Sequence, residues 1–219
     1  MNIKLLRENL EFKNLTQRII TSFVLIFIFT ILISFYDTYL NFFIYFIYLF
    51  IVFEIILYFK NNIYILFISL IYIFISLICI YIYFNNFYIK DEFVYIITLI
   101  VIFDISSYVF GKKFGKLKIL PIISPNKTYF GLISGLIITF IIGILLNYYF
   151  YIFNTYLMIF FIILLLLSSF IGDVIESLFK RKCNLKNSSE FLPGHGGFFD
   201  RFDSIVMVFI FLLLFKLLM

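Results

Sequence analysis

Residues 63–84 read IYILFISLIYIFISLICIYIYF, twenty-two positions without a single charged side chain. About 20 helical residues cross the hydrocarbon core of a bilayer, and only internally hydrogen-bonded backbone survives there, so this run predicts a membrane-spanning helix. Comparable stretches lie outward on both sides, at about 19–35, 40–59, 93–110, 129–150, 155–176 and 205–219, giving seven in all. Hydrophobic residues make up 64% of the 219-residue chain and mean hydropathy is +1.15, more than a water-facing surface tolerates. Regular outward-facing β alternation is missing, which argues against a barrel. The expected fold is an all-α, polytopic transmembrane bundle of about seven helices, read as a single integral-membrane domain over 1–219.

Alternating the connections across the membrane puts the N-terminus, the 60–62 turn, the 111–128 loop and the 177–204 loop on one side. Fifteen of the seventeen Lys and Arg residues fall there, and only Lys90 and Lys216 fall elsewhere. The positive-inside rule makes that face cytoplasmic, in a cell (inner) membrane. The charged start, with Lys4, Arg7, Lys13 and Arg18, precedes a long apolar run without a small-residue cleavage site and reads as a retained anchor. Cys79 and Cys183 suggest neither a disulfide framework nor a thiolate metal site. Trp and Ala are both absent from a chain rich in Phe, Ile, Tyr, Asn and Lys, so the abundant Phe reflects compositional bias rather than a binding site. Gly131 and Gly135 form a GxxxG with Gly143 further along, a signature of close helix packing.

Acidic residues within or at the ends of apolar runs carry more information, because a carboxylate near a helix centre costs about 2.5–3.5 kcal/mol on insertion scales. They are Glu54, Asp104, Asp173, Glu176 and Asp200. Periodicity does not place Glu54, which is either a functional carboxylate or one hydrogen-bonded within the bundle. Asp173-Val-Ile-Glu176-Ser177 and Asp200-Arg-Phe-Asp203-Ser204 repeat one D-x-x-acid-S pattern, and positions i, i+3 and i+4 share a helix face. Oxygen donors of this kind suit a hard cation such as Mg²⁺. Between the two clusters lie Lys180-Arg181-Lys182, Lys186 and Pro193-Gly194-His195-Gly196-Gly197, a mixture suited to phosphate: glycines let backbone N–H groups approach an anion that Lys and Arg neutralise. A second polar region runs from Asp104 through Ser106, Ser107, Gly111, Lys112, Lys113, Gly115 and Lys116 to Ser124-Pro125-Asn126-Lys127-Thr128, without Walker A spacing. It shares the predicted face of the glycine-rich segment and is a candidate substrate-binding region.

The run SLFKRKCNLKNSSEFLPGHGGFFDRFD, from Ser177 to Asp203, resembles the signature of the phosphatidate cytidylyltransferases (CDP-diacylglycerol synthases). Gly172-Asp173 and the stretch from Asp104 through SPNKT to Gly135 are similar to that family too. The resemblance thus covers most of residues 93–219 and is thin before residue 90, where the family's N-terminal spans look reduced. It departs at Asn187 and Asn126, which stand for Asp and Gly, and at Ile105, which replaces a small polar residue.

The resemblance implies transfer of a cytidylyl group from CTP to phosphatidic acid in phospholipid biosynthesis, giving CDP-diacylglycerol and pyrophosphate at the cytoplasmic membrane interface. It assigns a Mg²⁺ pair to Asp173 and Asp200, with Lys180 and Arg201 stabilising charge. Substrate contacts are expected from Ser177, Arg181, Lys186, His195, Gly196, Gly197 and Asp203, and from Asp104, Lys112, Ser124, Lys127 and Thr128. Partners are CTP, phosphatidic acid and membrane lipid, with no nucleic acid; a homodimer is compatible with the sequence, which does not define oligomeric state. Two other readings stay open: a CTP-dependent kinase or cytidylyltransferase of an isoprenoid lipid, and a transporter with Glu54 and Asp104 along its path.

Overall fold

The computed structural model describes residues 24, 27–28, 30–34, 39–150, 152–185, 187–189, 191–192 and 196–218. Six helices are complete within them: α1 Leu40–Tyr58, α2 Ile63–Asn86, α3 Lys90–Phe114, α4 Tyr129–Phe150, α5 Thr155–Lys182 and α6 Phe199–Leu218. The described residues of 24–34 are helical as well; most of the span expected at 19–35 lies outside the described residues. Helices α1 to α5 are each long and apolar enough to cross a membrane. The last helix fills the span expected at 205–219 through residue 218, with Asp200, Arg201 and Asp203 at its start and Lys216 in its last turn. The protein is a multi-pass, helical membrane protein.

Two boundaries differ from expectation. Helix α3 runs on to Phe114, and the rest of the anticipated 111–128 loop contains an antiparallel hairpin, β1 Lys118–Leu120 with β2 Ser124–Thr128, paired Lys118 to Thr128 and Leu120 to Ser124. Helix α5 continues past residue 176 to Lys182, so Lys180, Arg181 and Lys182 lie on a helix rather than in a loop. No Gly or Pro interrupts residues 173–182, and basic side chains are favoured at a helix C-terminus by its dipole.

The described residues fall into two compact units, one within Met1–Ile73 and Lys182–Phe202, the other within Phe74–Arg181 and Asp203–Met219. In the first, α1 buries Leu40, Ile44, Ile47, Tyr48, Ile51, Glu54 and Ile55, one stripe at helical spacing. Its other face exposes Phe42, Phe46, Leu49 and Phe53, an apolar surface suited to lipid rather than water.

In the second unit, Gly131, Gly135, Thr139, Gly143 and Asn147 form the buried stripe of α4, one residue every four. A methyl group on Gly131 would stand 2.5 Å from the Ser107 carbonyl oxygen and 2.9 Å from Gly111 Cα, so α3 and α4 touch backbone to backbone. Asn147 then ties down the turn into α5: its amide donates to Phe153 O at 2.9 Å and accepts from Phe153 N at 3.0 Å.

Lys216, one of the two basic residues expected off the basic side, is neutralised inside this unit. Its Nζ lies 2.6 Å from Glu92 Oε2, and Glu92 is buried. Removing one partner strands the other as a buried charge, which typically costs about 3–5 kcal/mol. Lys216→Met is therefore expected to lower the thermal midpoint of the purified protein markedly, and Glu92→Gln added to it to recover part of the loss. A single variant that melts like wild type would show the pair to be unimportant.

Candidate active site

Helices α3, α4 and α5 and strand β2 enclose a cleft of about 230 Å³ in the second unit. Asp104 and Ser107 reach it from α3, Ser124, Asn126, Lys127 and Thr128 from β2, Gly131 from α4, and Phe170 and Asp173 from α5. The hairpin geometry is what delivers the S-P-N-K-T strand to its wall. Tyr129 N donates to Leu117 O at 3.1 Å, and Arg181 Nε donates to Ile123 O at 3.1 Å, holding the turn of the hairpin to the end of α5. Gly115 is required there, because a Cβ would run into Thr128 Oγ1 and the Gly111 carbonyl.

Asp173 is the centre of this cleft's polar wall. Its Oδ2 pairs with Lys127 Nζ at 2.7 Å, and its Oδ1 accepts a short hydrogen bond from Ser204 Oγ. Lys127 also lies over the Phe170 ring, 4.7 Å from its centroid, a geometry that favours a cation. Asp203 is within electrostatic reach of Asp173, Glu176 and Asp104. Lys180 answers Glu176 at 2.7 Å along the same helix face.

Several of the residues expected to contact substrate have partners within the fold or lie outside the cleft lining. Thr128 Oγ1 accepts from Gly131 N at 3.1 Å, the N-cap bond of α4, so that hydroxyl serves the helix start. Arg181 is engaged by the hairpin. Lys112 is exposed, stands 5.8 Å from the Tyr108 ring centroid and is not among the residues that line the cleft. Ser177 is half-buried on α5.

The first unit holds the other half of the signature. Asp200, in the first turn of α6, accepts at Oδ2 from Ser188 N and Gly197 N, both at 2.9 Å, and from Ser188 Oγ at 3.1 Å. Gly196 has φ +86°, a left-handed backbone that favours glycine, and a Cβ there would collide with that same carboxylate oxygen. Leu192 N donates to Gly196 O at 2.8 Å. Arg201 is exposed beside Asp200, and Asn187 is exposed just before Ser188. Lys186 and His195 lie outside the described residues. Sequence reasoning did not single out Ser188 and Ser189 or settle Glu54, yet Glu54 accepts hydrogen bonds from both serines. Only their adjacency to the basic run hinted at such a task.

Among the described residues no three His, Cys, Asp or Glu side chains are grouped as a ready-made metal site. The donor chemistry nevertheless suits a hard cation: Asp104 and Asp173 bring carboxylate oxygens to one cleft, and Mg²⁺ ordinarily completes its shell with substrate phosphate and water.

Residues 57–219 match a family model described as "Cytidylyltransferase family". A phosphatidate cytidylyltransferase of Staphylococcus haemolyticus (strain JCSC1435) is 42% identical over 117 residues, covering 52% of this chain and 45% of that protein. One from Staphylococcus aureus (strain COL) is 39% identical over 116 residues, again 52% and 45%. A third, from Staphylococcus saprophyticus, is 44% identical over 107 residues, covering 48% and 41%. The chain thus matches less than half the length of these relatives.

Proposed function

The chain belongs to the cytidylyltransferase family, and from that premise we propose that it transfers the cytidylyl group of CTP to phosphatidic acid. A phosphate oxygen of the lipid attacks the α-phosphorus of CTP, a new P–O bond forms, and the bond from the α-phosphorus to the bridging oxygen breaks, releasing pyrophosphate. CDP-diacylglycerol remains in the bilayer. A phosphate monoester is already a competent nucleophile, so no covalent enzyme intermediate is needed; alignment and charge neutralisation are the enzyme's contribution.

The observation that carries this reading is the Lys127–Asp173–Ser204 constellation on the wall of a cleft lined by the S-P-N-K-T strand. Lys127, oriented by Asp173 and by the Phe170 ring, presents an ammonium to a phosphate entering that cleft. Asp104 and Ser107 bound the same space. In the first unit, the backbone around Gly196 and Gly197, ordered by Asp200, presents the signature segment to the nucleotide, with Lys186, His195 and Arg201 as further phosphate contacts. Mg²⁺ is proposed at Asp173 and at Asp200; when bound it neutralises charge on the phosphate oxygens. The positive-inside distribution supports a cytoplasmic site in the inner membrane, where soluble CTP and a two-tailed lipid can meet.

Purified protein given phosphatidic acid, Mg²⁺ and CTP labelled in either the α- or the γ-phosphate tests the proposal. The α-label is expected in lipid and the γ-label in pyrophosphate. Lipid carrying only the γ-label would identify a CTP-dependent kinase instead, and no lipid label from folded protein would remove the assignment.

A further inference from the structure

Glu54 lies in α1, before the first residue of the family match, and is fully buried. Such a carboxylate needs partners, and among the described residues it finds four hydrogen-bond donors in a single segment more than 130 residues away. Oε1 accepts from Ser189 Oγ and from Phe198 N, each at 2.7 Å. Oε2 accepts from Phe199 N at 3.0 Å and from Ser188 Oγ at 3.2 Å. The two backbone donors open α6, where N–H groups lack intrahelical acceptors and a negative charge is favoured by the helix dipole.

The same segment carries Asp200. Ser188 Oγ stands 3.2 Å from Glu54 and 3.1 Å from Asp200, and its single proton must serve one or be shared by both. Gly197 packs against the Glu54 carboxylate and the two serine hydroxyls, in a space where any Cβ would collide with them. The carboxylate of Glu54 thus holds the start of α6 and shares the Ser188 hydroxyl with Asp200.

We infer that Glu54 is a positioning residue of the transfer reaction: it clamps both ends of the glycine-rich signature segment, through Ser188 and Ser189 on one side and Phe198 and Phe199 on the other, and so orients Asp200. The inference rests on the proposed cytidylyl transfer. It explains why a costly carboxylate is kept in α1 when the cleft in the second unit does not use it. It also gives Ser188 and Ser189 a task that their small, polar character fits.

Glu54→Gln tests it, because one carboxylate oxygen becomes an NH₂ that cannot accept, so that one of the two amides, Phe198 N or Phe199 N, loses its acceptor. A displacement of about 1 Å at a reacting group costs on the order of a hundredfold. The expected result is a kcat about a hundredfold lower, with the melting curve close to wild type. Glu54→Asp, which keeps both acceptors, should recover at least about tenfold of that loss. Amide hydrogen exchange supplies a readout independent of activity: at least one of Phe198 and Phe199 should exchange faster in Glu54→Gln while amides in the middle of α6 keep their protection. Should Glu54→Gln not fold, Ser189→Ala leaves the carboxylate in place and is expected to lower kcat several-fold and speed exchange at Phe198. Unchanged exchange together with kcat within threefold of wild type, in whichever variant folds, would overturn the inference. A wild-type protein that makes no CDP-lipid would instead remove the functional reading, while exchange at Phe198 and Phe199 would still report on the clamp.

Discussion

Replacing Asp173 by Asn is expected to lower the rate of CDP-diacylglycerol formation about a hundredfold to a thousandfold while leaving the protein folded. Asn has the shape of Asp but only one acceptor oxygen, and it cannot satisfy both Lys127 at 2.7 Å and Ser204. Its NH₂ must face one of them, and Lys127 loses the charge that aims it into the cleft. Losing one fixed charge-stabilising group from an active site has an effect of this size. Stability should change little, because two consequences oppose one another. The Lys127 pair is lost, but Asp203 no longer stands against the Asp173 charge beside those of Glu176 and Asp104. Initial rates with α-labelled CTP and a melting curve on the same preparation decide the matter. A folded variant retaining more than a tenth of wild-type activity would remove Asp173 from the centre of the mechanism.

The prominence of Asp173 was legible in the sequence because the signal is local. A carboxylate that ends an apolar run and repeats in a D-x-x-acid-S pattern stands out against a chain with only 13% charged residues. The spans were legible for the same reason, since twenty uncharged residues in a row have few alternatives. Elsewhere the deciding contacts are distant. Residues 118–128 look like an ordinary basic loop; they form a hairpin because Arg181, at the end of another helix, donates to Ile123 O and because Thr128 doubles as the cap of α4. Glu54 is the extreme case: its partners lie 134 to 145 residues along the chain, and no periodicity within α1 points to them. The serine hydroxyls that hold it are chemically commonplace, so only the fold reveals their use.

Close helix packing was also legible, from Gly131, Gly135 and Gly143, and it leads to the second large expected effect. Gly131→Val should destabilise the protein by about 3 kcal/mol, the upper part of the range for overpacked sites. A shift of this size corresponds to roughly 6–12 °C in melting temperature for a soluble domain of comparable length. The cause is geometric: even a single methyl group at residue 131 meets the Ser107 carbonyl at 2.5 Å, Gly111 Cα at 2.9 Å and Thr128 Oγ1 at 3.0 Å. Backbone atoms cannot rotate aside as a side chain can, so α4 must move away from α3. Ile133, two residues on, is 53% exposed on the apolar outer face, and Ile133→Val there should be close to neutral. The two substitutions separate helix contact from mere apolarity, which both residues satisfy. Ser107, Thr128 and Gly131 also line the cleft that contains Asp173, so displacement of α4 should reduce activity further than the loss of folded protein alone. If Gly131→Val melts and turns over like wild type, α3 and α4 are not in backbone contact, and the cleft's shape cannot depend on their close approach.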